Sequence, residues 1–303
     1  MRNSDSTEQN KKTRNFKEDI DSRVFDAVVL ILLLTFTALI LIPLWNILIA
    51  SFTTGTTLTD GGFVLLPSSF SLDNYRVVFT DTTIYRAALV SVARTVIGSL
   101  SSVFFCAMVA YGMSKKNLFG RKVYSAMGIT TMFFSGGLIP LFLLIRSLGL
   151  LDSFWVYIIP GLFGYWNVIL LMNFFRGLPP SLEEAALIDG AGYWRIFLTI
   201  VLPLSKACLA ALILFSAVSH WNDFMTARIY VTNRDLHPLA MRLFEIVSMA
   251  TMQDRPDVPV QMQVATRGIQ LATIVITTAP IVMVYPFLQK YFVSGLTLGA
   301  VKE

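Results

Sequence analysis

Repeated long runs of apolar residues with few charges constrain this chain more than anything else in it. They fall at 24–52, 84–113, 122–147, 153–175, 204–229 and 266–291. About 20 such residues match the hydrocarbon thickness of a bilayer. Inside lipid every backbone polar group must be bonded within its own helix or within a closed barrel, so runs of this length are helices. The expected fold class is all-α, a polytopic membrane protein with about six transmembrane helices. Composition agrees, because only 14% of the 303 residues are charged, against about 25% in soluble domains. Six spans leave no room for a large additional soluble domain.

The basic residues set the expected orientation. Lys11, Lys12, Arg14, Lys17 and Arg23 precede the first run, and Lys115, Lys116, Arg121 and Lys122 cluster in a very short loop. An excess of Lys and Arg marks the cytoplasmic side. Both termini are then cytoplasmic. The polar leader is too extended, and the run behind it too long, for an ordinary cleaved signal peptide. The expected organisation is a basic cytoplasmic segment at 1–23, a first span and extracellular loop at 24–83, a transmembrane domain at 84–292 and a cytoplasmic tail at 293–303. Pro43 is expected to kink the first span, and a short helix is expected at 238–249 in an outer loop. The net charge of +5 follows from this topology. No aromatic–basic interleaving points to nucleic acid.

One loop on the cytoplasmic side, residues 179–203, is patterned unlike the others. Pro179 and Pro180 block a helix entering from upstream. Ser181 is a candidate N-cap, with Glu184 three residues on to close a capping box. Glu183 and Glu184 sit where the helix dipole favours negative charge. Ala185 and Ala186 give a small, flat face. Asp189, Gly190, Ala191 and Gly192 supply a stop, since glycine accepts the left-handed conformation that ends many helices. A second amphipathic segment carries Trp194, Phe197, Leu198 and Val201 to Pro203.

Charges inside spans are costly and therefore informative. Arg94 and Asp223 are each about 20 residues from a cytoplasmic boundary, which is roughly 30 Å along a helix. Both are expected toward the outer end, with Trp221 and Asn222 beside Asp223. Two readings stand: an ion pair holding two helices together, or a polar lining for a solute pathway. Gly112, Gly128, Gly136 and Gly137 are read as sites of close helix approach, with a break at Gly136–Gly137 and Pro140 as the alternative. Cys106 and Cys208 lie in apolar runs without pairing or metal spacing. The aromatic residues, Trp45, Trp155, Tyr157, Tyr165 and Trp166 among them, read as interfacial belts or helix contacts, with stacking on sugar rings as the alternative.

Several chemistries are missing. The chain has no GxxxxGK[ST] phosphate loop, no HExxH, no Cys/His metal spacing and no GxSxG. His220 and His237 stand alone and read as structural. Neither a catalytic role nor a cofactor is expected.

Glu184-Ala185-Ala186, Asp189-Gly190-Ala191 and Ile200-Val201-Leu202-Pro203 together resemble the EAA motif of bacterial ABC importer permeases. The resemblance extends from about residue 84 to the end. The stretches Ala110–Lys115, Trp221-Asn222-Asp223-Phe224 and 289–302 are similar to the carbohydrate-uptake branch, which includes the smaller maltose-permease subunit and lipoprotein-linked sugar permeases. The resemblance implies a type I ABC importer permease fold. It also implies a coupling helix docking on a separate ATPase, with Glu183, Glu184, Ala185, Ala186, Asp189 and Gly190 in that role. The implied partners are a dimer of ABC ATPase subunits, a second homologous permease, an extracellular or periplasmic solute-binding protein and membrane lipid. The implied function is half of a translocation pathway for an oligosaccharide or related sugar. A permease for a non-sugar solute shares the same loop. A secondary transporter would explain the spans but not the loop, and a membrane-embedded enzyme lacks its catalytic groups.

Overall fold

The structure, a computed structural model, describes residues 4–53, 66, 70–253 and 267–283. It is all-helical, with one isolated antiparallel bridge between Thr53 and Phe70 among the described residues. Helix α1 (Ser4–Ser51) runs from the polar leader through the first apolar run, with Pro43 inside it. The boundary expected at residue 23 is therefore a change of side-chain character, not of backbone. Helix α2 (Asp73–Thr80) lies in the stretch expected as an extracellular loop.

Helix α3 (Thr82–Ser114) is the post around which the rest is arranged. It starts at Asp81, whose Oδ1 accepts from the Thr83 amide at 2.8 Å. Ala87, Ser91, Arg94, Gly98, Ser102 and Cys106 are among its buried residues. Their spacing of three or four places them on one helix face. Most are small, which lets neighbouring backbones come close. Helices α6 (Tyr165–Arg176) and α10 (Lys206–Asn222) pack on this face. At Gly98 an added Cβ would lie 2.6 Å from the His220 ring of α10. Glycine there admits the close approach.

Three of the apolar runs are bent rather than straight. Helices α4 (Arg121–Phe133) and α5 (Leu138–Ser147) meet at 115°. Gly137, at φ +88°, sits in the break with no neighbour within 4 Å of an added Cβ. This corrects the expectation for Gly136 and Gly137: they break the span instead of admitting a neighbour. Gly112 also faces open space, whereas at Gly128 the Tyr165 ring would lie 2.2 Å from a Cβ. The fourth run opens with 3-10 turns at Phe154–Tyr157 and Ile159–Gly161 and then bends by 51° into α6.

The fifth run was expected to span 204–229. Helix α10 instead ends at Asn222, and Asp223 caps it in an extended conformation. Asp223 therefore lies in a break and not in a helix. Helix α11 (Met225–Tyr230) follows, and then α12 (Leu239–Gln253), in the loop where a helix was expected. Of the sixth run, α13 (Arg267–Met283) is described. The expected tail at 293–303 and the whole of the 289–302 stretch lie outside the described residues. The architecture is a multi-pass bundle of five to six spans.

Each break frees backbone groups that lipid cannot satisfy. Helix α3 supplies partners for several of them. Ser102 Oγ donates to the Gly161 carbonyl at 3.0 Å. Cys106 Sγ lies 3.6 Å from the Leu162 carbonyl and 3.7 Å from that of Gly164. Ser91 Oγ accepts from the Leu239 amide at the start of α12, at 2.8 Å. The polar residues of α3 thus stitch broken spans to a straight one.

Candidate functional site

The patterned loop forms helix α7 (Pro180–Ile188). The expected capping box does not form. Pro179 is the N-cap residue, without a side-chain bond, and Pro180 is the first helical residue. Proline at that position has no N–H to satisfy and a φ already suited to a helix. The helix therefore starts before Ser181 can cap it. Its end is built as the glycine pattern requires. Gly190 adopts φ +80°, Ala191 N donates to Ala186 O at 2.9 Å, and Gly190 N donates to Leu187 O at 3.0 Å. These paired bonds close the last turn through a left-handed residue.

The two faces of α7 differ. Glu183 turns inward and pairs with Lys115 Nζ at the end of α3. The Lys115 ammonium also lies 4.0 Å from the centre of the Tyr111 ring and 5.8 Å from that of Tyr193. Tyr111 Oη stands 3.5 Å from Glu183 Oε1. Ala186 packs on the core formed by α3, α6 and α10. Glu184, Ala185, Asp189 and Gly190 are exposed. No residue of α7 is fully buried, and Ile188 is 86% exposed. Of the six residues assigned to coupling, Glu183 alone is engaged by an ion pair among the described residues.

The second segment is a short helix, α8 (Tyr193–Ile196), a π-turn at Phe197–Val201 and a last helical turn, α9 (Leu202–Leu204). Its buried residues are Ile196, Phe197 and Val201. Trp194 and Leu198, expected on the apolar face, are exposed. The extra residue of the π-turn rotates the face, so the simple 3.6-residue period fails there. Phe197 stacks on Tyr111 with ring centres 5.4 Å apart. A second contact thus joins the loop to α3.

About 32 Å back along α3 from Lys115, and twelve residues inside its start, the structure brings Arg94 and Asp223 together. Arg94 is 1% exposed. It donates to Asp223 Oδ2 at 2.7 Å and to the Asp223 carbonyl at 3.0 Å. Its guanidinium lies 4.5 Å from the centre of the Tyr157 ring. The other carboxylate oxygen accepts from the Thr226 amide at 3.1 Å. One arginine therefore ties the straight helix to the break after α10. Arg94 Nε has no partner among the described residues. A cavity of about 320 Å³ adjoins the pair, bordered by Tyr157, His220, Asp223, Thr226 and Tyr230. Trp221 turns away, donating to the Thr277 carbonyl of α13 at 3.0 Å. Asn222 is exposed and bonds back to Val218 O at 2.9 Å.

Both histidines have protein neighbours. His220 faces Gly98. His237 lies between Glu245, at 3.2 Å, and the Val231 carbonyl, at 3.1 Å. On the same side, Asp152 accepts from the Asn233 amide at 2.8 Å and from the Thr232 amide. Those amides, Asn233 first, hold its carboxyl below the usual carboxylate value of 3.8. No cluster suited to a metal occurs among the described residues. Sequence reasoning missed Lys115 as a partner of Glu183, because 68 residues separate them. The one available signal was a lysine at the very end of a span, one position before another.

Comparisons with known proteins place these features in a family. The family model described as "Binding-protein-dependent transport system inner membrane component" matches residues 20–298. The "Polygalacturonan/rhamnogalacturonan transport system permease protein YtcP" of Bacillus subtilis is 42% identical, over 93% of this chain and 99% of that protein. The "Trehalose/maltose transport system permease protein MalG" of Thermococcus litoralis is 31% identical, over 80% of this chain and 84% of that protein. Among solved structures, a chain of "a bacterial ABC transporter involved in the import of the acidic polysaccharide alginate" matches with TM-score 0.81. It is 31% identical and is covered over 98% of its length by 90% of this chain.

Proposed function

Because the chain belongs to the family of binding-protein-dependent transport system inner membrane components, we propose that it forms half of an oligosaccharide pathway and receives its driving force through α7. It is a multi-pass permease of the carbohydrate-uptake type and not itself a catalyst. In the proposed orientation both termini and α7 face the cytoplasm. The Arg94 end of α3 faces outward, toward a solute-binding protein.

The observation that carries the coupling role is a nine-residue helix with no buried residue and a stop made by glycine. Its outer surface presents Glu184, Ala185, Leu187 and Ile188, with Trp194 of the adjoining α8 also exposed. Apolar area of this kind is stabilised by a partner surface. The acidic residues suit basic groups on that partner, and the loop's resemblance to the EAA motif supports an ABC ATPase subunit, present as a dimer, in that place. The chain has no phosphate loop of its own. A second permease of similar fold is the proposed neighbour of α1. Closure of the ATPases would move α7 and switch the bundle between inward- and outward-facing states.

Two variants test this reading. Glu184→Lys reverses the exposed charge. Gly190→Pro places a residue restricted to φ near −65° where the chain has φ +80°. Loss of ATPase co-purification and of uptake is expected for both, and survival of both activities in both variants overturns the coupling role. For the solute, oligosaccharides of polygalacturonan and of alginate are the first to assay for binding-protein-dependent uptake, because permeases for these polymers are similar to this one. Uptake of a non-sugar solute alone would reject the sugar assignment.

A further inference from the structure

The coupling helix is joined to the membrane interior by the chain at both ends. Upstream, residues 177–179 lead to α6; downstream, the chain runs through α8, the π-turn and α9 and turns by 82° at Ser205 before α10 begins. A π-turn and a sharp bend are compliant joints. A further route is not covalent. Glu183 of α7 pairs with Lys115 at the last turn of α3, and the lysine is enclosed between Tyr111 and Tyr193. Helix α3 is unbroken over 33 residues. From Lys115 to Arg94 it forms a rod of about 32 Å. At the far end Arg94 holds both the carboxylate and the carbonyl of Asp223.

We propose that the Lys115–Glu183 pair is the positioning contact that makes α3 follow the coupling helix, so that movement of α7 reaches the Arg94–Asp223 junction. This rests on the assignment of α7 as the docking element. Lys115 and Glu183 are positioning residues in this scheme and touch neither solute nor nucleotide. Among the described residues Lys115 has no other carboxylate partner. It is partly shielded, with 27% of its side chain exposed, so the pair is less screened than a surface pair. Glu184, one residue on, is exposed and free to meet the ATPase. Adjacent acidic residues thus divide two tasks, one inward and one outward.

The test uses the complete importer, isolated from its host through a tag on this chain and placed in nanodiscs. Spin labels at Leu89→Cys in α3 and Met225→Cys in α11, with Cys106 and Cys208 replaced by alanine, report the distance across the Arg94–Asp223 junction. The distance is read with and without ATP and vanadate. The parent importer should show an ATP-dependent shift. Lys115→Met keeps the methylene stem and should retain the ATPase at parental yield while losing the shift, with the shifted population down about tenfold, within the usual range of coupling between sites. Lys115→Arg should keep the shift. Exchange of the two charges, Lys115→Glu with Glu183→Lys, should recover it. A merely structural role would lower yield or thermal midpoint without separating ATPase retention from the shift. A full shift in Lys115→Met with the ATPase bound overturns the proposal. An ATPase that docks equally well on the Glu184→Lys and the Gly190→Pro importers overturns the assignment of α7 itself, so the two failures are distinguishable.

Discussion

Helices α1 and α3 are both long enough to cross a membrane alone, and the more apolar of the two is the one that touches less of its own chain. The most apolar stretch of α1 is 0% buried, whereas half of that of α3 is buried. Hydrophobicity does not draw helices together once they are in lipid, because the tails around them are equally apolar. What places α3 at the centre is its polar and small face. Ser91, Arg94, Ser102 and Cys106 meet backbone or side-chain groups of the broken spans. Helix α1 offers exposed Leu and Ile along its most apolar stretch, and its contacts with Asn74 and Tyr75 are made at its last turn, through Ser51.

The strongest way to break that comparison is to remove the charge from α3. Arg94→Met should destabilise the folded chain by about 3–5 kcal/mol, because it leaves a carboxylate uncompensated within the membrane. Thermal unfolding in detergent, followed by loss of monodisperse protein, is the measurement. Adding Asp223→Asn should recover part of the loss. If the double variant is stable but uptake fails, the pair belongs to the solute pathway. Equal losses in single and double variants would show that the ion pair is not what compensates Asp223.

Next in size is the small face. Gly98→Val should cost about 1–3 kcal/mol, as overpacking does, because the His220 ring occupies the space of the new side chain. Gly112→Val, on the same helix but beside open space, should stay within about 0.5 kcal/mol, the usual range away from such features. Equal midpoints for the two variants would refute the packing account. Ser91→Ala should cost about 1 kcal/mol by leaving the Leu239 amide without its acceptor. Faster hydrogen exchange at Leu239, with no change at α1, is the expected readout.

Helix α1 should give the smallest intrinsic effect and a different phenotype. Leu33→Ala lies in its exposed stretch. It should leave the midpoint of the isolated chain nearly unchanged while lowering recovery of the proposed second permease. A large drop in the isolated chain would mean that α1 packs on its own bundle after all. Outside both helices, Asp152 supplies a pH test. Its carboxyl lies below its ordinary value because the Asn233 and Thr232 amides donate to the anion. The contact is then complete above that ordinary value and is lost as pH falls through the depressed one. Amide protection at Thr232 and Asn233 should be constant from neutral pH down to about 5 and decline below about 4. Asp152→Asn should remove the decline.

Much of this fold was legible from one dimension. Run length and charge content established an all-helical multi-pass chain, because a bilayer admits few other solutions. The glycine at 190 announced the stop of α7, since few other residues accept φ +80°. The start of the same helix was misread. A serine with a glutamate three residues on looks like a capping box, yet two prolines upstream had already set the first turn. Likewise, glycines at 112, 136 and 137 carry the same letter as those at 98 and 128. Only the position of His220 and Tyr165 separates a close approach from a break or an open groove.

The amino-acid sequence by itself determined that this chain lives in a membrane, which loop is unusual, and that no phosphate loop accompanies it. Those properties are local: run length, residue type and spacing. The tertiary structure decided which of two neighbouring glutamates turns inward, that Asp223 caps a broken helix, and that a single straight helix carries both Lys115 and Arg94. Those partners lie 68 and 129 residues apart. Lipid does not choose between helices of similar apolarity. The pairing is selected by polar groups that must find one another, and that choice exists only once the helices are packed.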